Sequence, residues 1–318
     1  MTLPPSDHFN GKTFFNPGHK AHASLSDVLR WKSSSRPKPW PKSVPVNVRP
    51  APPAPSGPGV SATWIGHSTF LIRSAAATLI TDPIFSDRAS PVSWAGPKRA
   101  VAPGVDFERL PKVDLVLLSH DHYDHCDMPT LRRLAARDQP VIACPLGHRP
   151  LLSSAGFSRI VEGDWWQSMV TVPGVETTLL PSRHWSRRRP YETNTRLWGG
   201  FMLRLGGRTV YFAGDSGYDG ALFKEIGRRC EAPDLSLIPI GAYEPQWFMR
   251  AAHMNPEEAV SVHRDVRSRR SLAMHWGTFQ LTDEARLEPV EALATALSTS
   301  GLDPGAFTAM DPGDTLVV

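Results

Sequence analysis

Three imidazoles and two carboxylates lie within six consecutive residues of this chain, from His120 to His125. Burying so many ionisable side chains together is costly unless a multivalent cation organises them. Alternate residues of an extended segment point to one side, so His120 and His122 can share one ion. We expect Asp124 and His125 to begin the following helix and to turn towards a second ion. Imidazole and carboxylate ligands suit Zn²⁺ first, and iron and manganese also accept them.

A polar loop with capping aspartates is the alternative interpretation of this segment. The following helix needs one cap, however, and Asp127 stands directly before it. Two ions need more ligands than one loop supplies, and three further candidates follow β-type runs: His184, Asp215 and His275. Sheets in α/β proteins present functional side chains where strands end. Taken singly, Asp215 fits a turn and His275 fits the core, but as a set the three residues complete the cluster.

The chain that carries these residues alternates β-type runs with helical stretches from residue 61 onward. Strands are predicted at ATWI, TFLIRS, ATLITD, VDLVLLSH, 141–143, 175–181, 201–205, RTVYFAGD, LSLIPI and SLAMHW, and helices at 129–136, 221–227, NPEEAVSVHRDV and 288–297. The Gly206-Gly207 pair between two β-type runs predicts a hairpin. Two successive sheet-plus-helix halves indicate a layered α/β architecture.

The first 60 residues differ in composition from the rest of the chain. They hold 12 of the 31 prolines and carry 8 basic against 2 acidic side chains, which leaves the remainder nearly neutral. We predict a basic, Pro-rich N-terminal arm over residues 1–60 that wraps the body, and one folded domain over residues 61–318. The simplest interpretation of the arm's charge is solvation, and loose contact with an anionic membrane is the alternative. Nucleic acid is not indicated, because the basic residues do not cluster on the folded body.

A short helix is predicted within the arm at residues 25–32, with Ser24 as its cap. We expect it to dock Val28, Leu29 and Trp31 on the body.

The overall composition is that of an ordinary globular protein, with 41% hydrophobic and 21% charged residues, and does not suggest a fibre, a coiled coil or a membrane bundle. Cys126, Cys144 and Cys230 lie far apart, so neither a disulfide framework nor a cysteine zinc site is indicated. Pro4 and Pro5 stand where a signal peptide would place an apolar helix. We expect a cytoplasmic protein, with peripheral membrane contact left open.

Taken together, the HxHxDH box and the later His, Asp and His resemble the metal site of the metallo-β-lactamase superfamily. The chain more narrowly resembles the N-acylphosphatidylethanolamine-hydrolysing phospholipase D family. The supporting stretches are TWIGHSTFLI, TDPIFSDRASP with GPKR, SHDHYDHCD, DWW, AGDSGY, IPIGAYEPQWFM, HMNPEEAV and MHWGTFQL followed by LEP. This likeness covers roughly residues 60–318, and FNP with VLRW extends it into the arm. It implies a four-layer αββα sandwich.

The resemblance implies seven ligands for two zinc ions. They divide into His120, His122 and His184 for the first ion, Asp124, His125 and His275 for the second, and Asp215 as the bridge. A hydroxide held between the two ions would attack phosphorus, which gives phosphatidic acid and an N-acylethanolamine. Asp124 would thereby be both a ligand and a catalytic residue.

The resemblance also leads to expectations about three further residues. His253 is implied as a catalytic residue that hydrogen-bonds the phosphate or protonates the leaving oxygen; the alternative is a loop histidine beside the helix cap Asn255, with Pro256 at the first helical position. His67 either lines the site or supports the ligands from behind. Asp121 stands where family members have Asn, and because it is not an implied ligand we expect the difference to matter little.

Two groups of residues near these motifs are left outside the predicted site. The first fits either an acyl-chain groove with a membrane-facing lip or simple core packing, and it consists of Trp94, Tyr243, Trp247, Phe248 and Met249. The second, Arg183 with the run 187–189, we interpret as solvated charges.

The implied partner is a phospholipid, and the sequence is compatible with a homodimer. A lactonase or a soluble phosphodiesterase of the same fold is the alternative activity. A metal- or lipid-binding protein without turnover is a further alternative, although a bridged pair of ions is not needed for binding alone.

Overall fold

A computed structural model describes residues 4–19 and 24–318 and contains two seven-stranded sheets. The strands of the first sheet are β1 Ser61–Gly66, β2 Thr69–Arg73, β3 Thr78–Thr81, β4 Leu115–Leu117, β5 Val141–Pro145, β6 Ile160–Gly163 and β14 Thr315–Val317. The strands of the second are β7 Ser168–Val170, β8 Val175–Leu180, β9 Gly200–Leu205, β10 Arg208–Phe212, β11 Leu235–Pro239, β12 Ser271–Met274 and β13 Phe307–Thr308.

The two sheets share one topology. Their orders are β14-β1-β2-β3-β4-β5-β6 and β13-β12-β11-β10-β9-β8-β7. The strands from β3 to β6 pair in parallel, as do those from β10 to β13, and the remaining pairs are antiparallel. The predicted Gly206-Gly207 hairpin is confirmed, because Leu205 faces Arg208 across the β9–β10 turn.

Helices cover both outer faces of the paired sheets. Their bounds are α1 Leu25–Ser34, α2 Met128–Asp138, α3 Arg149–Ser153, α4 Gly220–Arg229, α5 Gln246–Met249, α6 Pro256–Asp265 and α7 Glu288–Thr299. In β4, Leu115 and Leu117 belong to the core shared with the second sheet, whereas Val116 belongs to the core shared with Leu131 and Leu134 of α2. This alternation follows from the period of two of a strand. The predicted αββα sandwich is confirmed.

The strand directions bring the functional residues to one edge. Strands β1, β3 and β4 run in the same direction in the first sheet, and β8, β10 and β12 do so in the second. Loops that follow their carboxyl ends carry all the predicted site residues except His253, which precedes α6. Strand order therefore gathers side chains that are up to 208 positions apart in sequence, from His67 to His275.

Several details differ from the sequence predictions. Asp124 and His125 do not begin a helix but occupy a turn, because α2 starts only at Met128. Asp127 is the N-cap residue of α2, yet its carboxylate accepts the Thr130 and Ser86 hydroxyls rather than a helix N–H. The short elements α3, α5, β6, β7, β13 and β14 were not predicted.

The N-terminal arm lies along the body with little regular structure besides α1. The capping box of α1, between Ser24 and Asp27, confirms the predicted cap. Trp31 docks by stacking on Phe248 with ring centroids 4.9 Å apart. Leu29 was expected to dock as well, but it faces away from the body and is 61% exposed. Within the residues described, no helix combines the length and the apolar character needed to cross a bilayer.

Candidate metal centre

Three histidines point nitrogen atoms at one another in the first half of the cluster. His122 Nδ1 lies 2.9 Å from His120 Nε2 and 3.2 Å from His184 Nε2. His184 Nδ1 donates to the carbonyl of Ala252, and His120 Nδ1 donates to Ser119 Oγ, so both Nε2 atoms present lone pairs to the centre of the group. Burial lowers the pKa of all three imidazoles, which keeps them neutral. Neutral nitrogens in this arrangement could hold one cation.

The second half of the cluster surrounds Asp124. Its Oδ2 lies 3.4 Å from His125 Nε2, 3.3 Å from His275 Nε2 and 3.0 Å from His67 Nε2. The ligand atoms of these four residues are close enough to one another to hold a metal ion. His275 follows β12 directly and adopts a positive φ of 59°, which turns its ring into the group.

Asp215 joins the two halves. Its Oδ2 lies 3.1 Å from both His125 Nε2 and His275 Nε2, and 3.8 and 4.0 Å from His184 Nε2 and His120 Nε2. Gly214 directs this side chain: it has a φ of 62°, and a Cβ there would lie 2.7 Å from the Gly199 carbonyl. The structure therefore places the Asp215 carboxylate between the histidines of the two halves.

The cluster contains buried polar atoms without hydrogen-bond partners, and its two carboxylates favour positive charge nearby. Among the described residues, His122 Nε2, His125 Nε2, Asp215 Oδ1 and both nitrogens of His275 are buried without a hydrogen-bond partner. Burial alone would lower the pKa of His275, but Asp215 and Asp124 outweigh it and raise that pKa to about 9. Buried acceptors that face one another around two carboxylates fit divalent cations.

Asp82 is a member of this centre that the sequence analysis missed. It follows β3, is fully buried, and accepts hydrogen bonds from His125 Nδ1 at 2.7 Å and from Ser119 N at 2.7 Å. Because His125 donates from Nδ1, its Nε2 is directed at Asp215. The signal was present in the run ATLITD, where an acid follows a strand just as Asp215 does.

His67 and His253 occupy different surroundings. His67 is buried among Asp124, His125 and His275, which fits support from behind better than contact with a substrate. Burial lowers its pKa to about 3. His253 lies at the edge of the cluster, with Nδ1 3.9 Å from Asp215 Oδ2, and lines the adjoining cavity. Burial lowers its pKa to about 4. Asn255 is the N-cap of α6, as predicted: its side chain accepts from Glu258 N, and Pro256 is the first residue of the helix.

The arginines near His184 are not all solvated, contrary to the sequence interpretation. Arg183 pairs with Asp219 at 2.6 Å. Arg188 donates to the carbonyls of Asp121 and Cys126 and packs over the ring of Tyr123. Arg183 is thus paired with a carboxylate and Arg188 is held by uncharged partners elsewhere in the chain, whereas Arg189 remains largely exposed.

Asp121 is not an implied metal ligand, but its side chain makes important structural contacts. Its fully buried carboxylate pairs with Arg196 at 2.9 Å and accepts the backbone N–H of Arg187 at 2.9 Å. The residue therefore fastens the histidine-rich loop to the segment that follows His184.

A cavity of about 560 Å³ adjoins the cluster. Four residues of the cluster line it, namely His122, Asp124, Asp215 and His253. The rest of the lining combines the cationic segment 187–189 with apolar side chains that include Phe248, Met249 and Leu281. Trp94 and Trp247 are 79% and 46% exposed, so core packing does not explain them, whereas Tyr243 is buried.

Comparison with known proteins adds three findings. A family model described as "Beta-lactamase superfamily domain" matches residues 77–276. The chain is 36% identical to a Caenorhabditis elegans "N-acyl-phosphatidylethanolamine-hydrolyzing phospholipase D 1", over 96% of this chain and 92% of that protein. It is 35% identical to the mitochondrial N-acyl-phosphatidylethanolamine-hydrolyzing phospholipase D of Saccharomyces cerevisiae, over 73% of this chain and 50% of that protein.

The fold is also similar to that of a solved structure. Igni18, a metallo hydrolase from the archaeon Ignicoccus hospitalis, superposes with a TM-score of 0.60 at 22% identity, over 82% of this chain and 98% of Igni18.

Proposed function

This chain belongs to the N-acylphosphatidylethanolamine-hydrolysing phospholipase D family of the β-lactamase superfamily, and from that premise we propose that it cleaves N-acylphosphatidylethanolamine to phosphatidic acid and an N-acylethanolamine. As a member of that family it is a metal-dependent hydrolase. The observation that carries the substrate assignment is the cavity in which the His/Asp cluster meets cationic and apolar side chains.

The proposed metals are two zinc ions. The first would be held by His120, His122 and His184, the second by Asp124, His125 and His275, with Asp215 between them. Support comes from the Nε2 lone pairs of His120 and His184 and from the buried, unpartnered atoms of His275 and Asp215. Iron and manganese accept the same ligands, so measurement of the native metal content belongs to the test.

Two divalent cations in such a site supply a water of lowered pKa as the nucleophile and positive charge for the phosphoryl oxygens. The chain's own residues hold the substrate and direct the bond that breaks. His253, at the edge of the cluster and in the cavity, hydrogen-bonds the phosphate or the leaving oxygen. Water adds to phosphorus, the bond from phosphorus to the ethanolamine oxygen breaks, and a proton passes to that oxygen.

The cavity lining matches the two chemistries of such a lipid. Arg187 and Arg189 are exposed cations that would attract the anionic phosphodiester and neighbouring headgroups. Phe248, Met249 and Leu281 provide apolar surface for an acyl chain. A larger cavity of about 910 Å³ shares Tyr123, Arg188 and Arg189 with this one, but none of the clustered histidines lines it.

The test is product analysis with zinc-loaded protein and N-acylphosphatidylethanolamine in detergent micelles. We expect phosphatidic acid and N-acylethanolamine in equal amounts, and no cleavage by His122→Ala. His19→Ala is the matched control, because its side chain is 54% exposed and contacts Asp219 rather than the cluster. Intact lipid, together with rapid hydrolysis of soluble phosphodiesters or lactones, would replace this substrate by one of the alternative activities.

A further inference from the structure

The N-terminal segment of residues 8–19, here called the hook, reaches the metal centre from outside the sandwich. Asn16 is 4% exposed and donates from Nδ2 to the carbonyl oxygen of His184 at 2.7 Å. These residues are 168 positions apart in sequence. The side chain of His184 is held separately, because its Nδ1 donates to the carbonyl oxygen of Ala252. The main chain of this proposed ligand is therefore fixed by a side chain that belongs to the arm.

The hook also holds the segment after His184. Phe14 is 2% exposed, and its N–H donates to the carbonyl of Asn194 at 2.8 Å. Asn194 in turn exchanges hydrogen bonds with Ser186, two residues beyond His184, through both its side chain and its main chain. Contacts of the hook thus extend to both His184 and the loop that leads away from it.

The start of the hook is anchored on the segment before His184. His8 stacks on Trp165 with ring centroids 4.4 Å apart and bonds Asp164 Oδ1 through Nε2 at 2.7 Å. Trp165 Nε1 donates to the carbonyl of Trp198, and Trp198 Nε1 donates to the carbonyl of Ser182. A continuous set of contacts therefore connects the hook to the main chain two residues before His184.

We propose that the hook supports the metal centre from outside and that, within the hook, Asn16 is the positioning residue for His184. This inference rests on the proposed function, because it assumes that His184 is a metal ligand. Without the Asn16 donor, the buried His184 carbonyl loses a hydrogen-bond partner, and the 182–186 segment gains freedom. Looser placement of this one ligand would weaken the binding of an ion by His120, His122 and His184. Binding of an ion by Asp124, His125 and His275 would stay largely unchanged.

The experiment measures zinc release from the full-length protein to the coloured chelator 4-(2-pyridylazo)resorcinol. Asn16→Ala removes the amide, and Asn16→Asp keeps its shape but replaces the donor by an acceptor. In both variants we expect one zinc equivalent to leave about tenfold faster, in line with the loss of supporting partners in metal sites, while the other leaves at the wild-type rate. Asn10→Ala is the matched control, because Asn10 is exposed and accepts hydrogen bonds from Lys12 and Thr13 within the hook itself.

Hydrogen exchange of the metal-free protein provides a readout that does not depend on zinc. Peptides that cover residues 182–196 should exchange faster in both Asn16 variants and at the wild-type rate in Asn10→Ala. Unchanged exchange in the Asn16 variants would overturn the inference, as would release of both zinc equivalents at wild-type rates. Wild-type behaviour of Asn16→Asp alone would also overturn it, since packing rather than the hydrogen bond would then be responsible. A wild-type protein that binds no zinc would contradict the proposed function, and hydrogen exchange would still decide whether Asn16 positions His184.

Discussion

Asp82 accepts a hydrogen bond from His125 Nδ1 at 2.7 Å, and both side chains are fully buried. The two residues follow the neighbouring parallel strands β3 and β4, so the pairing of those strands places them side by side. The same carboxylate accepts from Ser119, whose hydroxyl contacts His120 Nδ1. One acid thus orients a histidine from each half of the centre.

Replacement of Asp82 by Asn tests this arrangement. The backbone at this position has a φ of 31°, a region that Asn tolerates well, so the change removes charge while it keeps shape. We expect zinc affinity or hydrolytic activity to fall about 10- to 100-fold, as for other partners that orient metal-bound histidines. Metal content by mass spectrometry and the rate of lipid cleavage are the measurements. Asp87→Asn, at an exposed carboxylate in the same loop, is the control and should behave as wild type; equal behaviour of the two variants would refute the role of Asp82.

The sequence identified residues that the structure brings together where a simple rule applied, and it failed where a contact depended on the fold. His184, Asp215 and His275 were found because each follows an apolar run. Asp82 obeys the same rule, but its importance depends on which strand neighbours β4, and strand order is not visible in a single sequence. Asn16 could not be predicted at all, because no local pattern relates it to a residue 168 positions away.

Short and exposed elements were missed for a different reason. Strand β7 alternates exposed, buried and exposed residues, and Val170 within it is 94% exposed, so its hydrophobic signal is small. Helix α5 has only four residues and none of them is buried. Such elements are specified mainly by their neighbours in the fold. The charges of Arg183 and Arg188 were misinterpreted for the same reason, since their partners lie elsewhere in the chain.

The pair of Asp121 and Arg196 predicts an asymmetric effect on stability. Arg196→Met leaves a buried carboxylate without its cation and should lower the free energy of unfolding by about 3–5 kcal/mol. Asp121→Asn should cost clearly less, because Asn still accepts the Arg187 N–H and Arg196 still contacts Glu192. Urea unfolding measures both changes. Arg228→Met, which breaks an exposed pair with Glu225, should cost at most about 1 kcal/mol and serves as the control. Equal losses for Arg196→Met and Arg228→Met would contradict the role of the buried pair.

Attachment of the hook should depend on pH through His8. Burial lowers the pKa of His8, but the hydrogen bonds to Asp164 and Asp7 outweigh it and raise that pKa above 6.5. A raised pKa in the folded state means that the pair stabilises the protein fully below pH 6.5 and loses this effect as the pH rises through the raised value.

Melting temperatures of the wild type and His8→Gln measure this dependence. The difference in melting temperature between the two proteins should be largest near pH 6 and should shrink at higher pH. It should amount to no more than about 2–4 °C, because a partly exposed pair contributes about 1 kcal/mol. A difference that grows from pH 6 to pH 9 would contradict the assignment of a charged His8.

The most direct test of the proposed function combines isotope labelling with the bridging carboxylate. Zinc-loaded protein is mixed with N-acylphosphatidylethanolamine micelles in water enriched in heavy oxygen, and the products are analysed by mass spectrometry. We predict one heavy oxygen in phosphatidic acid, none in the N-acylethanolamine, and a loss of rate in Asp215→Asn larger than the about 100-fold typical of residues that only orient ligands. Heavy oxygen in a fatty acid or in the N-acylethanolamine, or normal turnover by Asp215→Asn, would contradict hydrolysis at phosphorus by this centre.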